Sequence, residues 1–206
     1  VWRGYGTVTT TLGTGSTPTV TEATYFRGMD GDWLVYNTTT KTASVTDSTG
    51  TTLTDSPELE GLTRETRQLD AVAGSPVTRS IKDPHVSAPT ADDGAIQARQ
   101  VDVATTNTRQ WLQPSGTRNT RTTSLDWNTS NDLPTKFQDE GDLDVTGDET
   151  CTQTSYATPA NGSLILDAVA DTSIMPTLCD TTRTEQAVIS RNRTTYDTET
   201  SPGTVG

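Results

Sequence analysis

The acidic run from Asp142 to Asp148 is the stretch of this sequence whose spacing comes nearest to a chemical site. Oxygen-bearing side chains occupy its odd positions, and Gly147 stands at the sixth, where a calcium loop turns sharply. The twelfth position is Gln153 instead of a bidentate Glu, which excludes an EF-hand. Two interpretations remain: a looser hairpin-turn Ca²⁺ site, or an acidic turn whose carboxylates accept hydrogen bonds from backbone amides. The candidate ligands are Asp142, Asp144, Thr146 and Asp148.

Residues that could carry catalysis are few and scattered. His85 is the single histidine, so neither a histidine zinc site nor a Ser-His-Asp arrangement is recognisable. The carboxylates of Asp30, Asp32, Asp139 and Glu140 could be paired as the acid and base of a glycosidase, but nothing in the sequence brings them together across a cleft. We therefore predict no catalytic site and, apart from calcium, no cofactor.

The two cysteines, Cys151 and Cys179, are too few for a metal cluster of the CxxC type. A disulfide between them would close a loop and, in the chain-entropy model, stabilise the folded state by about 3 to 4 kcal/mol. The alternative is two unrelated buried thiols. A low lysine content with abundant Thr and Asp is typical of exported proteins of high-GC bacteria, so we expect a secreted or cell-surface location.

The elements that position these residues are predicted to be strands. Only 30% of the residues are hydrophobic and 5% aromatic, which can fill no more than a thin core. Threonine supplies about a fifth of the chain, and its branched side chain fits a pleated, partly wet sheet. The fold class is therefore predicted to be all-β. The tryptophans at 2, 33, 111 and 127 are interpreted as core anchors, with a sugar-stacking platform as the alternative.

Short alternating runs separated by turn residues predict an array of antiparallel hairpins. The sharpest turn signal is Asn161-Gly162, which is typical of a type I′ hairpin. The least strand-like region is 81–95, which holds two prolines and is predicted to be a long surface loop. Strands are predicted at 19–26, 41–46, 62–69, 97–104, 120–127, 151–156, 164–168 and 187–196.

Charge and hydropathy exclude two classes of partner. The net charge of −12 repels nucleic-acid phosphates, and no basic stripe overrides it locally. No apolar run approaches the roughly 20 residues of a membrane-spanning helix. There is no signal peptide or terminal capping pattern either, so we expect residues 1–206 to form a single segment of a longer polypeptide.

A loose repetition runs through the chain. Residues 121–126 (RTTSLD) recur as 191–197 (RNRTTYD), with a shorter echo at 67–70 (RQLD). Each unit is a strand that ends in a large residue, followed by Asp and a turn. We expect the large residue to face the core and the Asp to bond the backbone of the turn. Such units need neighbours to bury their apolar faces, which favours an extended sheet.

These residues resemble the YD repeats of Rhs-type proteins. The segment 24–32 (TYFRGMDGD) is similar to one in large secreted Rhs-repeat proteins of actinobacteria, where a WRGY-like stretch precedes it and a TGDE-Cys segment and a second Cys follow. Residues 2–5, residues 146–151 and Cys179 stand in that order here. The repeat anchors that the resemblance implies are Tyr196, Asp197, Leu125, Asp126, Tyr25, Arg27, Asp30 and Asp32.

The resemblance implies a sheet that spirals into a hollow β-cage. Relatives use such a shell to enclose a C-terminal toxin domain, or build wall-associated and cell-surface proteins from it. The implied function is a structural scaffold, and the implied partners are the rest of the same repeat protein and its enclosed cargo. The alternative function is a stand-alone extracellular β module that binds carbohydrate or a surface, with a cell-surface glycan as its partner.

Overall fold

The all-β prediction is confirmed. The computed structural model describes residues 3–14, 18–94, 96–112, 114, 116–159, 167–180, 187–196 and 204–205. Strands dominate these residues, and a 3-10 turn lies at Pro57–Leu59. No helix in the described part of the chain has the length and apolar character to cross a membrane. The chain divides into two compact units, Val1–Asn119 and Thr120–Gly206, called here the first and the second unit.

The first unit is built on five antiparallel strands. In spatial order these are β1, β2, β7, β8 and β11, each hydrogen-bonded to the next. Two small hairpins, β3–β4 and β5–β6, lie in the sequence between β2 and β7, and we call residues 27–62 the insert. The bounds are β1 Thr7–Leu12, β2 Thr19–Tyr25, β3 Trp33–Val35, β4 Thr39–Thr40, β5 Ser44–Thr46, β6 Thr52–Thr54, β7 Thr63–Leu69, β8 Pro76–Val86, β9 Ala91–Asp92, β10 Gln97–Ala98 and β11 Val101–Leu112.

The core of the first unit lies where the insert meets the sheet. Phe26, Val45 and Leu59 are buried together there, and four partly buried residues pack against them. Turn geometry closes the insert onto this core: Gly28 has φ +63 and lies against Pro57, where a Cβ would come within 3.0 Å of backbone. Glycine is therefore required at position 28. The four partly buried residues are Leu53, Leu62, Val86 and Val101.

The second unit is built on five antiparallel strands, in the spatial order β12, β13, β14, β16 and β17. Among its described residues, the core comprises two small clusters. One holds Cys151, Met175 and Cys179, and the other holds Ala157, Ala168 and Ala170 with Tyr196 packed against them. The bounds are β12 Gly116–Trp127, which starts in the first unit, β13 Pro134–Asp142, β14 Thr150–Tyr156, β15 Thr158–Pro159, β16 Val169–Met175, β17 Ser190–Arg193 and β18 Thr204–Val205.

The predicted disulfide is confirmed. Cys151 on β14 is bonded to Cys179, and their Cα atoms are 4.9 Å apart. Both residues are buried, with exposed fractions of 0% and 5%. The bond forms the centre of the cluster with Met175, so the covalent link and the apolar contacts stabilise the same place.

The surface loop predicted over 81–95 is wrong for its first part. Strand β8 continues to Val86, and only the two-residue strand β9 follows within that range. β7 pairs with β8 no further than Ile81, so among the described residues the strand pairing of 82–86 is with β11 alone. Pro84, which has no N–H, lies in that one-sided stretch beside a bulge in β11. Proline is tolerated at such positions.

Other strand predictions differ in extent. The strands expected at 41–46 and 187–196 shrink to β5 and β17, and β1, β8, β13 and β16 were not predicted. Most of the strand expected at 164–168 lies outside the described residues, as does the Asn161-Gly162 turn, and Ala168 itself precedes β16.

Candidate functional site

The segment 24–32 forms a turn that is fixed through Asp55. Asp55 is 1% exposed, and its Oδ1 accepts hydrogen bonds from the amides of Arg27 (2.6 Å) and Gly28 (2.9 Å). Tyr25 ends β2, and its amide donates to the carbonyl of Gly6. The Arg27 side chain lies against Gly6, where an added Cβ would come within 3.3 Å of Nε. These residues hold the backbone at the point where the chain leaves β2 for the insert.

Asp30 and Asp32 are also bound within the protein. Asp30 Oδ1 accepts the amide of Ala43 at 2.9 Å. The Asp32 carboxylate accepts hydrogen bonds from Nε and Nη2 of Arg3 at 3.1 and 2.9 Å. It also forms an ion pair with Lys41 Nζ at 4.0 Å. The hydrogen bonds from Arg3 hold the pKa of Asp32 below its ordinary value. Asp30 therefore fastens two parts of the insert to each other, whereas Asp32 fastens the insert to Arg3, which precedes β1.

A buried guanidinium joins the insert to the sheet. The Arg64 side chain is 1% exposed. Its Nη2 donates to Asp47 Oδ2 at 2.5 Å, and its Nη1 donates to Asp83 and to the carbonyl of Lys82. Lys82 lies beyond the last residue that β7 pairs on β8. Arg64 thus satisfies a carbonyl that the sheet ladder leaves open and ties it to the β5–β6 turn.

The carboxyl of Asp47 has a lowered pKa. Burial alone would raise it, because the charged form loses water. Hydrogen bonds from Thr49 Oγ1 at 2.5 Å and from the amides of Thr49 and Thr51, together with Arg64, outweigh burial and bring the pKa below 3.8. Asp47 is therefore held in its charged form.

The acidic turn is bonded to its own backbone. Asp142 Oδ1 accepts the amide of Asp144, Asp148 Oδ2 accepts the amide of Asp142, and Glu149 accepts the amide of Gly147. This arrangement is the acidic-turn alternative of the sequence interpretation. Among the described residues, no group of three or more His, Cys, Asp or Glu side chains is placed to hold a metal ion. Thr146 is exposed in the same turn, and the calcium site stays a prediction.

The repeat anchors fall into different environments. Tyr196 packs on the alanine cluster, and its hydroxyl donates to the carbonyl of Val169 at 2.9 Å. Leu125 is 46% exposed, so the expectation that it faces the core is wrong. The pairing of β12 with β13 shifts on both sides of Asp126, and these bulges change the alternation on which the expectation relied. Asp126 forms an ion pair with Lys136 at 2.6 Å, and Asp197 lies outside the described residues.

The core-anchor interpretation is wrong for Trp33. This residue is 55% exposed on the β3–β4 hairpin, where its ring lies 6.5 Å from that of Tyr36, which is 80% exposed. Leu34 and Val35 between them are exposed as well. Trp111 and Trp127 are half-buried, and Trp2 lies outside the described residues. His85 lies on β8 opposite Asp102 of β11.

A row of arginines across the first unit was not foreseen. Arg67, Arg79 and Arg109 stand opposite one another on β7, β8 and β11, and Glu22 of β2 stands opposite Arg67. Neighbouring members of the row are separated by 12 to 45 positions in the sequence, so only the strand register reveals the row. Trp111 lies two residues beyond Arg109, beside a pocket of about 510 Å³. Its lining comprises Asp70, Ser75, Pro76, Val77 and Trp111.

Comparison of the chain with known proteins finds no matching family model, curated protein or solved structure. The resemblance to Rhs/YD-repeat proteins therefore stays a prediction that rests on residues and their order.

Proposed function

We propose that this chain is a wall segment of a secreted or cell-surface bacterial protein of the Rhs/YD-repeat type. Further strands of the same polypeptide extend its sheet, and the resulting shell encloses or displays a C-terminal effector, a toxin domain outside residues 1–206. The chain itself is structural and performs no catalysis.

The edge strand β1 is the observation that carries the proposal. Among the described residues β1 pairs only with β2, so its other side presents unpaired N–H and C=O groups. All six residues, TVTTTL, are exposed. Free-standing sheets protect such an edge with Lys, Pro, a bulge or a covering element. β1 has no Lys or Pro, and its pairing with β2 is regular from Thr7 to Leu12. A strand with these properties suits a sheet that continues.

Exposed apolar side chains on the strands support the same function. Val8 and Leu12 lie on the same face of β1, and their side chains are 38% and 73% exposed. In the second unit Leu125 on β12 and Phe137 on β13 are 46% and 41% exposed. Apolar side chains on strands are expected to be covered in the complete protein. Neighbouring repeats would provide that cover, because each repeat buries its apolar face against the next.

The disulfide supports a location outside the cytoplasm. A bond such as Cys151–Cys179 forms and persists in oxidising compartments. A chain with few apolar residues gains most from such a link, since its core alone contributes little.

Hydrogen exchange of the β1 amides tests the wall function. In the intact polypeptide that carries this chain, we expect the outward amides of β1 to be protected because another strand pairs with them. In residues 1–206 alone the same amides should exchange rapidly, while those bonded to β2 serve as the internal control. Equal, rapid exchange in both proteins would overturn the proposal, and so would a reading frame that holds no further Tyr-Asp repeat units.

A second function is favoured by the pocket beside Trp111: a stand-alone module that binds carbohydrate. Aromatic side chains with nearby polar groups are common in saccharide sites. A module of this kind would melt cooperatively as residues 1–206, and its β1 amides would exchange at one rate in every context. The hydrogen-exchange experiment therefore separates the two functions.

A further inference from the structure

The row Glu22, Arg67, Arg79, Arg109 lies on one face of the first unit. Each residue stands directly opposite the next on the neighbouring antiparallel strand. Opposite residues project from the same face, with Cβ atoms roughly 5 Å apart. Like charges in this arrangement repel one another and destabilise the sheet.

Only one of the three arginines is neutralised. Arg67 donates to Glu22. Arg79 and Arg109 form no ion pair with a carboxylate among the described residues; Arg79 Nη1 donates to Ser48 Oγ at 3.4 Å. The Nε atom of Arg109 is buried and has no hydrogen-bond partner. The chain has a net charge of −12, yet within the described ranges these two adjacent cations have no acidic partner.

The unpaired arginines adjoin an aromatic pocket. The Cζ atoms of Arg109 and Arg79 lie 5.2 and 5.9 Å from the centroid of the Trp111 ring. Such cation–π contacts orient the guanidinium groups, but they leave most of the N–H donors free. Trp111 also lines the pocket, together with Val77, Asp70 and others. Cationic, apolar and acidic groups therefore lie close together.

The chemistry of the lining identifies the ligand class. A guanidinium binds a carboxylate through two parallel hydrogen bonds. Asp70 Oδ1 accepts the amide of Ser75 at 2.8 Å, and the exposed carboxylate also faces the pocket, where it would repel a simple polyanion. Hydroxyl groups, in contrast, can donate to it. A ligand with a carboxylate at one end and hydroxyls at the other satisfies both sides.

We propose that Arg79, Arg109 and Trp111 form a binding site for acidic saccharides, in which the arginines bind a uronate carboxylate and Asp70 accepts hydrogen bonds from ring hydroxyls. This site lies within the first unit and does not depend on the wall function. A shell segment with such a site attaches its polypeptide to an acidic glycan, and an isolated module with the site does the same.

Binding of a galacturonate tetramer to the intact polypeptide tests the site by calorimetry. We expect measurable affinity that falls with salt, and about tenfold or more weaker binding in Arg109→Gln and in Arg79→Gln, since a hydrogen bond to a charged group is lost. Arg109→Lys keeps the charge but loses the planar fork, so its affinity should fall between wild type and Arg109→Gln. The melting temperature of each variant shows whether it is folded.

Two matched controls make the result specific. Arg67→Gln removes the same charge from the same row, but Arg67 is already paired with Glu22, so binding should change less than twofold. The methyl-esterified tetramer keeps the sugar skeleton without the charge and should not bind. The proposal is overturned if the ester binds equally well, if inorganic sulfate binds as tightly as the tetramer, if folded Arg109→Gln binds as wild type does, or if the tetramer does not bind at all.

Discussion

In the first unit a buried guanidinium, that of Arg64, joins the insert to the sheet, whereas in the second unit a disulfide, Cys151–Cys179, joins β14 to the segment after β16. Both links are buried. Arg64 is surrounded by Asp47, Asp83 and a carbonyl, and the disulfide packs on Met175.

The comparison shows two ways to stabilise a sheet with little apolar core. A buried ion pair contributes only when every partner is present, because a charge left alone in the interior is costly. A disulfide acts chiefly by restricting the unfolded chain and needs no partner beyond its two cysteines. The first unit should therefore be sensitive to single substitutions and to acid, and the second unit to reduction.

The largest effect is expected for Arg64→Met. The substitution keeps most of the volume and leaves Asp47 charged and buried without its cation, so the first unit should lose about 3 to 5 kcal/mol of unfolding free energy. Denaturant titration followed by hydrogen exchange of β7 and β8 measures the loss. Arg67→Met, which breaks a more exposed pair, should cost less than about 1 kcal/mol. Equal losses in the two variants would contradict the role of Arg64.

The next largest effect is expected when both cysteines become serine. The bond spans a sequence separation of 28 residues, and its removal should cost the second unit about 3 to 4 kcal/mol. Amide exchange of β14 and β16 reports this loss. The strands β2 and β7 of the first unit should keep their protection. A reductant should reproduce the effect in the wild type and add nothing in the double variant.

Acid should affect the first unit through Asp47. The pKa of this carboxyl is lowered in the folded state, so the unfolded state binds the proton more tightly. The ordinary pKa of an Asp carboxyl is 3.8. Above this pH the contribution of Asp47 to stability is fully present, and it is lost as the pH falls through the lower pKa of the folded state. Melting curves between pH 6 and about pH 2 should show this loss in the wild type. Asp47→Asn should be less stable at pH 6 and should show a flatter dependence; an unchanged slope would refute the assignment.

The smallest effect is expected for Tyr196→Phe. The phenol hydroxyl donates to the carbonyl of Val169, and its removal should cost the second unit about 1 kcal/mol. Tyr36→Phe removes a hydroxyl from a side chain that is 80% exposed and should leave the melting temperature unchanged. If both variants have the melting temperature of the wild type, the hydroxyl of Tyr196 has no anchoring role.

The sequence predicts those features that depend on local pattern. The predicted bounds of β2, β7 and β14 agree with the observed bounds to within one or two residues. Each of these strands is an alternating run bounded by turn residues. Two cysteines allow a single pairing, so the sequence identifies Cys151–Cys179 as the candidate bond, and the structure decides it against two separate thiols. β8 is missed because Pro84 and its neighbours are typical of loops, and proline becomes acceptable only where the strand is bonded on one side.

Features that depend on register cannot be obtained from pattern. The row of Arg67, Arg79 and Arg109 exists because three strands align at one level, and a shift of one residue would move a side chain to the opposite face. The exposure of Leu125 has the same origin, since a bulge interrupts the alternation. Asp47 and Arg64 meet through the folding of the insert onto the sheet, to which no local motif corresponds.

The unprotected edge of β1 also bears on how such a protein can evolve. Pairing at this edge uses main-chain groups, which are the same in every residue except proline. The strand that is added there can therefore change its side chains through mutation without losing its hydrogen bonds. Duplication or recombination could exchange whole flanking segments, and β1 would need no compensating substitution. A boundary of this kind lets a polypeptide lengthen or diversify while the ancestral segment stays as it is.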